Sequence, residues 1–466
     1  MSIATDKMSV GIKWYAFRGN RKTTIFPYVM NTNIIQEYKG CFWVAKGKKR
    51  AVPGIVTRYS DGRIELELIG SFDSNEKNLF GDFINSPKRD RVIFGLDSSS
   101  KDITLFATRV GVTKNLSCSF SLVTYKVIYL VYGKHVTGLD KPYKMEAYIR
   151  FPELTMWCPP KLIKHGFKMG ENGIEKVFIE TADNLHDTTI FEHKLKDGKN
   201  VSLKGNYHTE TSKCNINPIL TQWTSFCVSD DNGITLRKVL KTITRFEKFL
   251  SFASQKVCHY SDIQLFDEDV IQKTTTGKVC YLPIYLYINR SCDINNGRNV
   301  DVQYLFHYSE VADTFSFIIS KWLDENDDMP LIIDHLVDSV ISRRSINSAE
   351  FMTVVQGVDG FWQRFREDAY KTNNNLKKVG FDTALRELRN EFDEILRYSK
   401  DQSTDDAIKD TRDFYSHLLK KGKKQNVLEG QGLYEATCYL RNLLMCCVMK
   451  ETGFKMNTIK EIMKDY

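Results

Sequence analysis

Hydrophobic and polar residues change their spacing along this chain, and the changes divide it into regions. From Thr23 to about Thr224, short alternating or β-branched runs are separated by Gly, Asp, Asn and Pro, the pattern of strands joined by turns. Arg63–Ile69 is the cleanest case. Its Ile64, Leu66 and Leu68 alternate with charged residues, a period of two that sends one face of a strand to a core and the other to water. Ile103–Val110, Ser119–Val131, Lys144–Phe151 and Lys176–Glu180 read as further strands, with Ser60-Asp61-Gly62 and Lys196-Asp197-Gly198 at turn positions. Between Gly233 and Ser254 the period becomes helical: Ile234, Leu236, Val239, Leu240, Ile243, Phe246, Phe249 and Leu250 fall on one face, with Lys and Arg on the other. Val279–Ile288 then returns to strand composition.

Ser291–Asn299 is polar and rich in Gly and Asn, which places the expected domain boundary there, with domains 1–300 and 301–466. Past Asp301 the pattern predicts helices over His307–Leu323, Leu331–Ile341, Ser348–Tyr370, Phe381–Ser399, Ser403–Lys420, Glu429–Lys450 and Asn457–Lys464. The expected class is therefore α+β in two domains: a β-rich N-terminal module of antiparallel sheets with one inserted amphipathic helix, followed by an all-α bundle.

Composition narrows the reading only a little. The chain has 466 residues, with 42% hydrophobic and 27% charged, an ordinary globular balance. A net charge of +8 permits a nucleic-acid partner without requiring one. No apolar run approaches membrane-spanning length, so no membrane association is expected. The N-terminal MSIATDKMSV lacks the apolar stretch of a signal peptide, which makes the cytoplasm the expected compartment. Eleven Cys show no paired spacing, and Cys446–Cys447 lie in an apolar helical run, as reduced core thiols do.

The most pointed chemical pattern is Thr411-Arg412-Asp413-Phe414-Tyr415-Ser416-His417, an Arg-x4-His. Its spacing carries little alone, since composition predicts about 0.4 occurrences by chance. On one straight helix Arg412 and His417 would point about 140° apart, so a second chain, related by a two-fold axis, would be needed to gather them in one cleft. Asp413 and His417 share a face at i and i+4, so the carboxylate is expected to orient the imidazole. The chemistry would be metal-free RNA cleavage, His417 moving protons and Arg412 neutralising charge on the phosphorane. Lys420, Lys421, Lys423 and Lys424 would hold RNA phosphates. The blander alternative is a solvated or paired helix face ending in a basic turn that suits the helix dipole.

Other features point nowhere in particular. His186 and His193 lack acidic or thiol partners at ligand spacing, Cys158, His165, Cys214 and Cys227 form no CxxC arm, and no Gly-rich phosphate loop exists, so neither a metal nor any cofactor is expected. Cys41-Phe42-Trp43 and the aromatics of Tyr281–Tyr287 suit core or cross-strand pairs better than base stacking. Lys46, Lys48, Lys49 and Arg50 form a basic loop that suits a solvated hairpin tip or an RNA contact.

Two stretches resemble one known family. Thr411–His417 resembles the signature of the ApeA-like HEPN domain, an Arg followed by a polar residue and then by a His four residues later. Leu433–Val448 is similar to the apolar closing helix of such domains. Tyr38–Gly54, Gly62–Phe72 and Ile93–Thr108 resemble the ApeA N-terminal domain through Gly-x-Phe-Trp, a basic loop, Pro-Gly and an alternating strand ending in Gly-Ser-Phe. The resemblance implies a prokaryotic antiphage, abortive-infection protein. In it a β-rich sensor domain controls a HEPN endoribonuclease that cleaves host RNA, plausibly tRNA, as a homodimer or higher homo-oligomer answering a phage-encoded trigger protein. It implies catalytic roles for Arg412 and His417, with Asp413 and Asp359 carried over as further catalytic residues. Asp413 stands where relatives often carry Asn, and Asp359, in Gln356-Gly357-Val358-Asp359, stands for an early-helix Glu. A reading from another class stays open: a non-catalytic RNA-binding or dimerisation scaffold with a partner-binding β domain.

Overall fold

The computed structural model describes residues 33–45, 50–72, 90–115, 120–170, 173–181, 188–210, 219–273, 275, 277, 279–290, 304–324, 328–341, 347–396, 402–420 and 422–465. The polar segment Ser291–Asn299, and with it the expected boundary near residue 300, lies outside them, as do Lys46, Lys48, Lys49, His186, Cys214 and Lys421.

The first six strands close a barrel. These are β1 (Ile34–Val44), β2 (Val52–Tyr59), β3 (Ile64–Ile69), β4 (Asp90–Asp97), β5 (Asp102–Asn115) and β6 (Phe120–Tyr132). Neighbours pair antiparallel in the order β6-β3-β2-β1-β4-β5, and β5 returns to β6. Ile64, Leu66 and Leu68 of β3 are buried inside with Phe42, Val56, Leu105 and Tyr125, while the intervening Glu65 and Glu67 face out. The Gly-x-Phe-Trp and Pro-Gly pieces have a steric cause. Gly40 and Gly54 are cross-strand partners. A Cβ on Gly40 would sit 2.1 Å from the Leu96 carbonyl oxygen, and one on Gly54 2.6 Å from that of Glu67. Phe42 and Trp43 are buried, in keeping with a packing role.

A second antiparallel array continues from the barrel. Its members are β7 (Met145–Arg150), β10 (Thr189–Lys194), β11 (Lys199–Glu210), β12 (Ile219–Asp230), β13 (Asp262–Asp267) and β14 (Ile284–Ile288), while β8 (Ile163–Gly170) and β9 (Gly173–Thr181) form a separate hairpin. The order β10-β11-β12-β7-β13-β14 joins the barrel where β14 pairs with the Tyr129–Tyr132 end of β6. Val279–Ile288 is two strands and not one, Val279–Tyr281 and Ile284–Ile288, because Pro283 between them has no N–H for a ladder.

Helix α1 (Pro152–Trp157) and the long α2 (Leu236–Ser254) cover one face of this array. The Thr235 hydroxyl accepts from the Lys238 N–H and starts α2; Gln255, at φ 53°, ends it. Phe246 stacks on Phe226 of β12 at 3.8 Å between centroids, while Phe252 on the far side stacks on Trp322 at 5.4 Å. The inserted helix thus has two apolar faces, one against the sheet and one against the bundle.

The bundle comprises α3 (Phe315–Leu323), α4 (Met329–Ile341), α5 (Ser348–Phe365), α6 (Glu367–Asn374), α7 (Phe381–Glu391), α8 (Gln402–Ser416), α9 (Gly430–Glu451) and α10 (Met456–Ile462). The helix expected over Ser348–Tyr370 breaks at Arg366 (φ −131°), whose guanidinium reaches Glu391 and Glu451. That over Phe381–Ser399 ends at Glu391, and that over His307–Leu323 is one turn at Tyr308–Val311, a 3₁₀ turn and then α3. One apolar core runs without interruption from the sheet through α2 into α9, where Cys446 and Cys447 are buried as free thiols. Among the described residues no helix is long and apolar enough to cross a membrane.

Candidate functional site

The site is built where the end of α8 meets α5 and α7. Near its start, α8 is fastened by Asp405, which accepts from Arg389 of α7 at 2.9 Å. Burial pushes the Asp405 carboxyl above its ordinary range, against the pull of Arg389. Halfway along, Lys409 reaches Asp382 at 3.2 Å. Thr411 is fully buried; its hydroxyl donates to the Ala407 carbonyl at 2.6 Å and accepts from the Leu428 N–H at 2.8 Å. That second bond ties the connection to α9 back onto α8.

Arg412 is held on three sides. It donates to Asp359 of α5 at 2.7 Å, its guanidinium carbon lies 4.8 Å from the centroid of the Phe381 ring, and a second nitrogen lies 3.6 Å from the Asp413 carboxylate. A cation over a ring face gains electrostatic energy, and the charge-assisted bond fixes the fork in one plane. The chain therefore presents Arg412 in a set orientation, half-buried, with donors to spare.

His417 is placed differently from the expectation of one continuous helix. Its backbone N–H still bonds the Asp413 carbonyl at 3.1 Å, but α8 ends at Ser416. Leu418 takes the left-handed conformation at φ 47°, and the Leu419 N–H closes back on the Phe414 carbonyl at 3.1 Å, a Schellman-type ending. A residue with a Cβ costs about 1–2 kcal/mol in that conformation. Leu418 is 87% exposed. His417 is exposed too, and among the described residues its ring has no side-chain hydrogen bond or ion pair.

The expected Asp413–His417 contact is absent because other groups claim the carboxylate. Lys424 donates to Asp413 and to Asp410, each at 3.0 Å, and these bonds hold its ammonium above its ordinary value. Lys424 thus closes the turn after α8 and is not turned to solvent as a free cation. Lys420 and Lys423 are exposed with no carboxylate within ion-pair distance among the described residues. The structure gathers Arg412, Asp359, Asp413 and Lys424 into one network with His417 at its edge. The sequence assigned no such role to Phe381 or Thr411, since an aromatic at a helix start and a mid-helix Thr carry no signal of one.

Three further candidates have structural places. His193 shares a hydrogen bond of 2.8 Å with the Ser320 hydroxyl, and Cys158 and Cys227 are buried. Among the described residues no three His, Cys, Asp or Glu side chains converge as metal ligands.

Compared with known proteins, residues 37–322 match the family model for ApeA N-terminal domain 1, and residues 352–458 match the Apea-like HEPN model. The second span holds Asp359, Arg412 and His417. No curated protein and no solved structure matches the chain.

Proposed function

Because the chain belongs to the ApeA family of antiphage defence proteins and carries an RNase-type HEPN domain, we propose that it is a metal-independent endoribonuclease, cutting host RNA, with tRNA as its substrate, in an abortive response to infection. The observation that carries this reading is the pairing of a clamped Arg412 with an exposed, unengaged His417 at the end of one helix. His417 takes the 2′-hydroxyl proton or protonates the leaving 5′-oxygen, a contribution of about 10²–10⁴-fold. Arg412 meets the charge that builds on the phosphorane, and its plane is already set by Asp359 and Phe381. Attack by the 2′-oxygen breaks the bond to the 5′-oxygen and leaves a 2′,3′-cyclic phosphate.

One imidazole does not serve as base and acid in the same step, and a homodimer supplies the second through a two-fold interface. The exposed Leu418 beside His417 suits such a contact. Activation follows when a phage-encoded protein favours the dimeric arrangement in which the two sites face each other; the compartment is the cytoplasm.

A second reading draws on a specific observation. Arg412 is already ion-paired to Asp359, and Asp413 to Lys424, as in a non-catalytic scaffold that dimerises or binds RNA. Incubation of the full chain with tRNA in EDTA, with and without lysate of infected cells, separates the two. Cleavage leaving a cyclic phosphate, lost in His417→Ala while RNA binding remains, is the expected result; binding without cleavage in either protein under both conditions sinks the nuclease reading.

A further inference from the structure

The face of the second sheet turned away from α2 is open and forms a groove of about 840 Å³, within the size range of small-ligand sites. Strand alternation decides what lines it. Ala147 and Ile149 of β7 and Phe226 of β12 face α2, so Glu146, Tyr148 and Arg150 of β7 and Trp223 of β12 face the groove. Phe266 and Gln264 of β13 stand beside them, Tyr148 meeting Phe266 edge to face at 5.2 Å.

The charges in this groove are distributed unequally. Glu146 pairs with Lys204 at 2.6 Å, Asp231 with Lys194 at 2.8 Å, Asp230 with Lys238 at 3.6 Å and Glu268, loosely, with Lys144 at 4.0 Å. Asp262 accepts from the Gln264 amide at 2.7 Å. Arg150 differs. Its guanidinium lies 4.7 Å from the Trp223 ring centroid, and among the described residues no carboxylate is within ion-pair distance of it. An arginine spread on an indole keeps its N–H edge directed outward in a fixed plane, the arrangement that takes a phosphate through two parallel bonds. Around it stand aromatic rings, amide groups and Asp262, its cross-strand partner, and Tyr281 at the rim is 55% exposed.

We propose that this groove binds a nucleotide unit, its phosphate on Arg150 and its base against the aromatic wall, with the Gln264–Asp262 pair presenting an acceptor edge. Stacking of a base on aromatic side chains tolerates any base, while the amide and carboxylate add preference for a base with exocyclic donors. The unit comes from a free nucleotide or from an unpaired nucleotide of an RNA strand. Either way the groove is a second recognition site, carried by the N-terminal module and separate from Arg412 and His417.

The test is calorimetric titration of the full chain with the four nucleoside monophosphates, with a five-residue 2′-O-methyl oligonucleotide that cannot be cut through its 2′-position, and with inorganic phosphate. Binding of a monophosphate supports a free nucleotide, and binding of the oligonucleotide alone supports an RNA strand. In either case Arg150→Ala is expected to weaken binding about tenfold or more, Arg150→Lys to recover only part of it, and Tyr281→Ala to weaken it about fivefold or more. These side chains are exposed, so the variants should melt like the parent. No binding by any of the nucleotides, binding that Arg150→Ala leaves unchanged, or phosphate binding as tightly as the nucleotides would overturn the proposal.

Discussion

Arg412 of α8 and Asp359 of α5 are joined by a 2.7 Å hydrogen bond across 53 positions of sequence. The bond fixes the one arginine of the Arg-x4-His pattern against a neighbouring helix, and it leads to the first prediction. Asp359→Ala should reduce RNA cleavage about tenfold or more through a lower kcat with little change in KM, because the guanidinium loses its set plane rather than its charge. Asp359→Glu should restore part of the rate, and Arg412→Lys should not, since an ammonium does not reproduce a fork. Single-turnover kinetics on tRNA measure this; equal loss in Asp359→Glu and Asp359→Ala would show that Asp359 does not act by positioning Arg412.

The lysines after α8 divide into two kinds, and RNA affinity should divide with them. Lys420→Ala and Lys423→Ala are each expected to flatten the slope of log K against log[salt] by about 0.7 per lost phosphate contact on single-stranded RNA. Lys424→Ala should leave that slope alone and loosen the turn instead, since its ammonium is spent on Asp410 and Asp413. Filter binding at several salt concentrations decides; a slope change confined to Lys424→Ala would reverse the assignment.

Thr411→Val keeps the volume of a buried side chain and removes its hydroxyl. The part-buried Leu428 N–H then loses its acceptor, which costs up to the roughly 1–3 kcal/mol of a fully buried unsatisfied donor. Urea unfolding should show a lower midpoint, and hydrogen exchange should show faster exchange at Leu428. An unchanged exchange rate there would mean the tether is not made.

Acid should act through Glu391. Burial pushes its carboxyl up, but Arg366 at 3.3 Å and Lys450 at 2.8 Å outweigh this and leave it below its ordinary value. A carboxyl lower in the folded than in the unfolded chain binds fewer protons when folded. Its stabilisation is therefore present above the unfolded value of about 4.5 and is lost as pH falls through the folded value below it. Glu391→Gln should be less stable than the parent at pH 7, with the gap narrowing as pH drops below about 4.5. Unfolding midpoints measured from pH 3 to pH 7 test the sign; a gap that widens on acidification contradicts it.

Local physics was legible in the sequence. The period of two in Arg63–Ile69, the helical period from Gly233 to Ser254 and the apolar run of α9 each follow from how side chains alternate or recur along a regular backbone; the strand and α9 stand as read, while α2 starts only at Leu236, after Ile234 in a short strand, and carries a second apolar face. The Gly-x-Phe-Trp and Pro-Gly pieces stood in the sequence only as a family resemblance; the fold shows why glycine is there, since a neighbouring strand's carbonyl oxygen leaves no room for a Cβ at Gly40 or Gly54. Closure of six strands into a barrel was not legible, since pairing of β5 back to β6 depends on accumulated twist and stagger over the whole set.

The site divides in the same way. Residue types and spacing singled out Arg412 and His417, but helix periodicity placed them on one continuous rod. Tertiary structure ended that rod at Ser416 and gave the Asp413 carboxylate to Lys424. The Asp359–Arg412 bond, across 53 positions, depends on where α5 and α8 cross, and the Asp413–Lys424 bond, across 11, on how the turn after α8 folds back; no local period encodes either. The apolar core shared by α2 and the bundle is likewise a product of packing: a pattern along one chain shows that Phe252 must be buried, and only the fold shows that Trp322 is what buries it.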